Sequence, residues 1–140
     1  MKIIAVGKIK KKYFLDGIDF YKKQISKLDI IEVRQSNIEK EGKDILAKIS
    51  ERDYVIALDI KGMKYDSESF SKKLEELKLN GNDIVFLIGG SLGLSDEVKN
   101  RANERLSFSD FTFPHELFRL ILVEQIYRAE SILLNKPYHK

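Results

Sequence analysis

The order of the apolar segments restricts this chain to very few folds. Short runs rich in β-branched residues alternate with stretches whose apolar residues recur at helical spacing. Residues 2–6 read as a buried strand. Residues 13–27 read as a helix that puts Phe14, Ile18, Tyr21 and Ile25 on one face. Residues 28–34 are a β-branched run, hence a strand, and 38–51 are helical with Ile45, Leu46 and Ile49 as the inward stripe. Residues 54–59 form a strand that ends in the turn Lys61-Gly62. A helix follows over 67–79, with Ser67 as its N-cap and Phe70, Leu74 and Leu77 inward. The turn 80–83 leads into a strand over 84–88, IVFLI, apolar throughout. Strand and helix alternating in this way predict an α/β fold, a mainly parallel sheet with helices on both faces. A strand without polar residues needs cover on both sides, which agrees. In open sheets of this kind, ligands sit beyond the carboxyl ends of strands. Leu58 onward, Gly89 onward and whatever follows the last strand are therefore the places to search.

A chain of 140 residues is long enough to bury a core unaided. It has no repeat, low-complexity segment or linker, and residues 1–140 read as a single domain. There is no cysteine, which excludes a disulfide framework, thiolate metal sites and a cysteine nucleophile, and suits a reducing cytosol. No apolar run approaches the ~18 residues that a membrane span needs. The opening MKIIAV meets Gly7 before it reaches the length of a signal-peptide core. The expectation is a cytoplasmic protein with no membrane association and no bound metal. The net charge of +3 is small but unevenly placed. Residues 1–27 hold Lys2, Lys8, Lys10, Lys11, Lys12, Lys22, Lys23 and Lys27 against only Asp16 and Asp19, and Lys136, His139 and Lys140 close the chain. Such a cluster can neutralise phosphates and release their counterions, or it can be a solvated face that aids solubility. Charge alone leaves both open.

Two stretches carry chemistry. The strand 84–88 runs into Gly89-Gly90-Ser91-Leu92-Gly93-Leu94-Ser95, followed by a helical stretch from Asp96. Glycines let a backbone bend sharply and approach a ligand closely, and the next helix offers free N–H groups to an anion. The spacing is neither GxGxxG nor GxxxxGK[ST], so the signal for a phosphate loop is weak. The second stretch, residues 106–113, alternates like a strand or extended loop, and Pro114 is placed to start the last helix, 114–135. The apolar residues of that helix cover more than the ~100° stripe that one sheet face buries. A partner helix, most simply from an identical subunit, is the expected cover. Glu124 and Arg128 stand one turn apart, as a surface pair or with one of them facing the partner.

At these residues the chain resembles a known family. IGGSLGL, then LSFSDFTFPHELFRLILVEQIYRAESILLNKPYHK after a short helix, is similar to the ribosomal RNA large subunit methyltransferase H family, within the SPOUT class of knotted methyltransferases. The opening MKIIAVGKIKKKY and the segment DYVIALDIKGM match it too, so the likeness covers the whole chain. The resemblance implies a C-terminal part threaded into a deep trefoil knot, an exception to the usual rules of chain connection. It implies S-adenosyl-L-methionine as cofactor, a homodimer, and methylation of N3 of a pseudouridine in 23S ribosomal RNA of the assembled ribosome. Carried onto this chain, the cofactor loops are Leu58 with its turn, Gly89 and Gly90, and Phe108, Ser109, Asp110, Phe111, Thr112 and Phe113. The loop before the helix at residue 38 looks short for the family, which bears on peripheral surface only.

The methyl group of a sulfonium is already activated, so the protein's main task is to hold reacting atoms roughly 3–3.5 Å apart. Backbone amides and an apolar slot near Leu58, Phe108 and Phe113 suit the adenine. The N3–H of the acceptor must lose its proton, which calls for a base or a nearby cation. His139 in the tail PYHK is the preferred base, with His115 the alternative. Tyr138 is expected to stack or to form hydrogen bonds, and Arg128 to hold phosphate or developing negative charge. His115 otherwise reads as a helix-start residue bonded to a backbone carbonyl, and the tail as a frayed end. Lys8, Lys10, Lys11 and Lys12, after the first strand, and Lys140 are the expected RNA contacts. Phe14, Phe20 and Tyr21 beside them are either an RNA-stacking face or, for Phe14 and Tyr21, core. Two rival functions stand beside this one: a non-enzymatic ribosome-binding or assembly module, and a nucleotide-binding doubly wound domain with the glycine turn as its anion site.

Overall fold

A computed structural model describes residues 1–140. The chain runs β1 (Lys2–Val6), α1 (Lys12–Lys22), β2 (Asp29–Val33), α2 (Ile38–Leu46), β3 (Asp53–Lys64), α3 (Ser67–Leu79), β4 (Asp83–Ile88), α4 (Asp96–Arg101), β5 (Glu104–Ser107) and α5 (His115–Leu133). The strands form one five-stranded sheet in the order β2-β1-β4-β3-β5, with every neighbouring pair parallel. The steps β1 to β2 and β3 to β4 run toward one edge and carry α1 and α3 on one face. The steps β2 to β3 and β4 to β5 run the other way and carry α2 and α4 on the opposite face. All four crossovers therefore share one hand, as parallel units require. The alternation of apolar side chains along β1 and β4 feeds two cores. Ile3, Phe86 and Ile88 pack under α1, α3 and α5, while Ile4, Val85 and Leu87 pack under α2 and α4.

Several expectations need correction. The segment Lys61-Gly62 does not end β3. Leu58 and Met63 both pair with Leu106, so residues 59–62 leave the ladder and the strand then resumes to Lys64. Gly62 permits this, because a β-carbon there would stand 2.6 Å from the Arg105 carbonyl carbon. The N-cap of α3 is Asp66, one residue earlier than expected. Its carboxylate accepts from Ser69 N at 2.7 Å and Ser69 Oγ accepts from Asp66 N at 3.1 Å, a reciprocal capping box. Helices α1 and α2 end at Lys22 and Leu46 rather than at 27 and 51, though Ile25 and Ile49 still pack against the cores from the turns that follow. β5 is only Glu104–Ser107, and 108–113 is irregular.

Helix α5 lies between α1 and α3 on the sheet. Leu122, Val123, Ile126 and Ala129 face the strands, and Leu120 meets α1 at Gly17, whose missing side chain makes room for it. Three contact surfaces within the chain account for much of the helix's wide apolar cover. Arg119 anchors its first half: it is 3% exposed, donates from Nη1 to Glu32 at 2.7 Å, and donates from Nη2 to the Gly7 carbonyl at 2.9 Å. It thereby ties α5 to the ends of β1 and β2. Arg119→Ala should lower stability by about 2 kcal/mol, since Glu32 is partly exposed and loses less than a buried partner would. Thermal unfolding of the variant measures this.

Candidate active site

Strands β4, β3 and β5 are neighbours, and all three release the chain at the same sheet edge. Loops far apart in sequence therefore have to meet there. Leu58, Gly89, Gly90, Phe108, Ser109, Phe111, Thr112 and Phe113 line one cavity of about 420 Å³. Its walls are largely apolar. Phe108 and Phe113 stack obliquely on Phe118 of α5, with ring centroids 5.3 and 6.2 Å away, and Phe108 meets Phe70 of α3 edge-on at 6.5 Å. Within the 107–111 loop, Ser107 Oγ donates to the Ser109 carbonyl at 3.0 Å and Phe111 N donates to Ser109 Oγ at 3.1 Å. Asp110 is the one residue of 108–113 that does not line the cavity. It points outward and pairs with Lys64 at 2.7 Å.

The glycine turn folds back on itself. Gly93 N donates to the Gly90 carbonyl at 3.0 Å, and a β-carbon on Gly89 would stand 2.6 Å from the Gly93 carbonyl carbon. Main chain thus forms that wall of the cavity. Sequence reasoning missed two charged groups in the lining. Asp59 presents a buried Oδ2 without a hydrogen-bond partner, 3.7 Å from Arg105, and Lys99 reaches the cavity from the short helix α4. His115 also lines it, at the start of α5, with no hydrogen bond to a backbone carbonyl. Asp59 was within reach, being next to Leu58. Lys99 was not, because its position depends on how the turn delivers α4.

Lys8, Lys10, Lys11 and Lys12 are all exposed in the connection from β1 and the first turn of α1. Glu116 holds this connection: its Oε1 accepts the N–H of Lys11 at 2.9 Å and that of Lys10. The Lys11 bond, followed by that of Lys10, keeps the Glu116 carboxyl below the usual carboxylate range. The hold on the loop is therefore present at neutral pH and is lost as pH falls through that lowered value. Because Glu116 follows His115, the lysines are fixed beside the cavity mouth. Lys12 also pairs with Asp16 at 2.8 Å.

The tail lies elsewhere. Tyr138 donates to Glu124 Oε1 at 3.0 Å, its oxygen is 3.3 Å from the Tyr21 hydroxyl, and its ring packs on Tyr127 and under Arg128. Arg128 pairs with Glu124 at 2.6 Å and approaches His139 Nδ1 at 3.2 Å. A guanidinium only donates, so Nδ1 accepts, while Nε2 faces Glu68 of α3 at 3.6 Å. Burial first, then the Tyr21 and Glu124 contacts, push the Tyr138 phenol well above its ordinary value, and it stays protonated at neutral pH. Lys140 is exposed beyond this cluster. Phe118, which lines the cavity, and Arg128 are ten residues apart on one helix, an axial rise of about 15 Å, and none of residues 138–140 lines the cavity. The Glu124–Arg128 pair expected from sequence is present, whereas the contacts of Glu124 and Tyr21 with Tyr138 were not foreseen. Of the aromatic residues near the lysines, Phe14 and Tyr21 pack on the core, and Phe20 is 60% exposed.

Among the described residues no cluster of side chains fit to hold a metal ion occurs, and no helix is long and apolar enough to cross a membrane. A family model described as "Predicted SPOUT methyltransferase" matches residues 1–139. The ribosomal RNA large subunit methyltransferase H of Streptococcus thermophilus (strain CNRZ 1066) is 50% identical over 157 aligned positions, covering 100% of this chain and 99% of that protein. The protein of the same name from Clostridium botulinum (strain 657 / Type Ba4) is 52% identical with the same coverage. The alignments are longer than the chain's 140 residues, so these relatives carry insertions that it lacks. Two solved structures share the fold. A probable methylase family protein from Haemophilus influenzae Rd KW20 has a TM-score of 0.64 at 13% identity, over 99% of this chain and 70% of that one. The ribosomal RNA small subunit methyltransferase E from Neisseria gonorrhoeae, bound to S-adenosyl methionine, has a TM-score of 0.52 at 11% identity, over 95% and 66%. The chain belongs to the ribosomal RNA large subunit methyltransferase H family of SPOUT methyltransferases.

Proposed function

We propose that this protein methylates large-subunit ribosomal RNA with S-adenosyl-L-methionine as donor, at N3 of a pseudouridine in the assembled ribosome, as a homodimer in the bacterial cytoplasm. The observation that carries the reading is the meeting of the loops after β3, β4 and β5 around one cavity with a main-chain wall. The donor, when bound, supplies a methyl group on a positively charged sulfur. The lining fits such a ligand. Leu58, Phe108 and Phe113 offer an apolar slot for a purine, and Gly89 and Gly90 let backbone come close. The Asp59 carboxylate in the lining suits a hydroxyl or ammonium, and Lys99 suits a carboxylate. The chain's own contribution is orientation and exclusion of water, which needs neither metal nor covalent nucleophile.

The acceptor N3 must lose a proton, and the candidate bases are His115 in the cavity lining and His139 in the tail. Tyr138 is protonated and serves as a donor and stacking group rather than as base. His139 remains our choice of base, on condition that Nδ1 is released from Arg128 or Nε2 from Glu68. Arg128 then faces negative charge that develops on the base or a phosphate. The absence of residues 138–140 from the lining of their own chain's cavity supports a site assembled from two: the cavity of one protomer and residues 138–140 of its partner. The position of α5 supports the knot. Its chain returns from the edge strand β5 to lie between α1 and α3.

Calorimetry with S-adenosylhomocysteine tests the donor, and mass mapping of ribosomal RNA from cells with and without the gene tests the product. Preference for a mononucleotide would favour a nucleotide-binding domain, and tight ribosome binding with neither ligand an assembly module. Lys8, Lys10, Lys11 and Lys12, with Lys140, are the phosphate contacts of this proposal. Replacing the four loop lysines by glutamine should weaken ribosome binding and flatten its dependence on salt, the slope falling by about one per lost contact. An unchanged slope would remove them from the interface.

A further inference from the structure

Glu41 lies in the first turns of α2, behind the glycine turn and away from the cavity. It is 2% exposed. Its Oε2 accepts the Ser36 N–H at 2.8 Å, but Oε1 is buried with no hydrogen-bond partner. A carboxylate oxygen in that position is costly, and folded proteins rarely keep one without a use for it. The nearest main chain of consequence is the glycine turn. A β-carbon built on Gly90 would lie 3.8 Å from Oε1, and one built on Gly42 would strike Ser95 Oγ. Residues 41 and 42 therefore back the turn at its entry and at its exit, while Gly89 and Gly90 face the cavity. The Gly90 main chain thus has the bare oxygen behind it, beside Val6, and the cavity in front. Asn37, which caps α2 through Lys40 N at 2.8 Å, and the Ser36 bond fix the carboxylate in place before any ligand arrives.

We propose that Glu41 is a positioning residue for the methyl donor: once the cavity is filled, its free Oε1 takes a main-chain N–H of the 89–93 turn and holds the turn against the ligand. The inference rests on the methyl-donor reading above. The cost of the orphan oxygen in the empty protein is recovered on binding, so Glu41 strengthens the bound state at the expense of the free one. A purely structural carboxylate would do the opposite and stabilise the free protein.

Glu41→Gln keeps the shape and an oxygen for Ser36 N, but turns an N–H group rather than an acceptor toward the turn. Its affinity for S-adenosylhomocysteine should fall roughly tenfold, the scale of one charge-assisted hydrogen bond. The Tm of the ligand-free variant should not fall, and in turnover the loss should appear in KM for the donor rather than in kcat. In the wild-type protein, S-adenosylhomocysteine should slow hydrogen exchange at amides of residues 89–93, and the variant should lose that protection. Wild-type affinity in the variant overturns the inference, as does a lowered ligand-free Tm with binding intact. Should the variant not fold, absence of added protection in the wild-type turn overturns it equally. If the wild-type protein itself binds no S-adenosylhomocysteine, the methyl-donor reading fails first.

Discussion

Gly89→Ala is expected to lose about 100-fold in affinity for S-adenosylhomocysteine while keeping its secondary structure. The added methyl would stand 2.6 Å from the Gly93 carbonyl carbon and 2.7 Å from its oxygen. Both are main-chain atoms of the same tight turn, so no side-chain rotation relieves the clash. Overpacking of this kind costs about 1–3 kcal/mol, and the turn can relieve it only by opening at Gly93, which displaces the cavity wall. A misplacement worth ~3 kcal/mol, at 1.4 kcal/mol per factor of ten, gives the stated loss. Gly90→Ala supplies the contrast. Its methyl meets Val6 Cγ1 at 3.0 Å, the end of a side chain with some freedom to move, and the loss should stay below about tenfold. Calorimetry on both variants, with circular dichroism as the folding control, measures the order. Equal losses, or the reverse order, would show that the turn's main chain is not the wall that grips the ligand.

The same contrast explains what could be read from sequence. Four strands announced themselves as short apolar runs, whereas β5, with the sequence ERLS, did not and reads only as a strand or extended loop over 106–113; a parallel sheet then forces loops after adjacent strands to share an edge. That Leu58, Gly89 and Phe108 would face one hollow followed from this rule, together with the family resemblance. The error at Lys61-Gly62 arose because a glycine pair-breaker reads alike whether a strand stops or bulges; the difference is made by Arg105 on the neighbouring strand, 43 residues away in the numbering. The shift of the cap from Ser67 to Asp66 came from two adjacent residues that can each cap a helix, with Ser69 deciding between them. Asp110 sits inside a motif whose other members line the cavity, yet Lys64, brought there by the resumed β3, draws it outward. Glu41 and Arg119 gave no signal at all. Each is a charged residue on an otherwise amphipathic helix, and only the packing shows them to be buried.

Removal of residues 138–140 should abolish methylation, by at least about 100-fold on the scale of a lost general base and its positioning, with S-adenosylhomocysteine binding retained. The truncation removes the Tyr138 bond to Glu124 and its ring from Arg128, at a cost of about 1–2 kcal/mol, too little to unfold a domain of this size. Full activity would take the tail out of the mechanism. A mixed dimer tells which protomer the tail serves. One protomer lacks residues 138–140 but keeps its cavity; the other carries Gly89→Ala but keeps its tail. Neither homodimer turns over. If the tail acts within its own chain, the mixed dimer has no complete site and stays inactive. If it acts across the dimer, the truncated protomer's cavity receives its partner's tail, and up to about half of wild-type activity returns. The structure favours the second outcome, because Tyr138 and His139 are held by Glu124, Arg128 and Glu68 and line no part of their own chain's cavity. Recovery of activity on mixing would thus make dimerisation a requirement of the chemistry rather than a means of covering apolar surface.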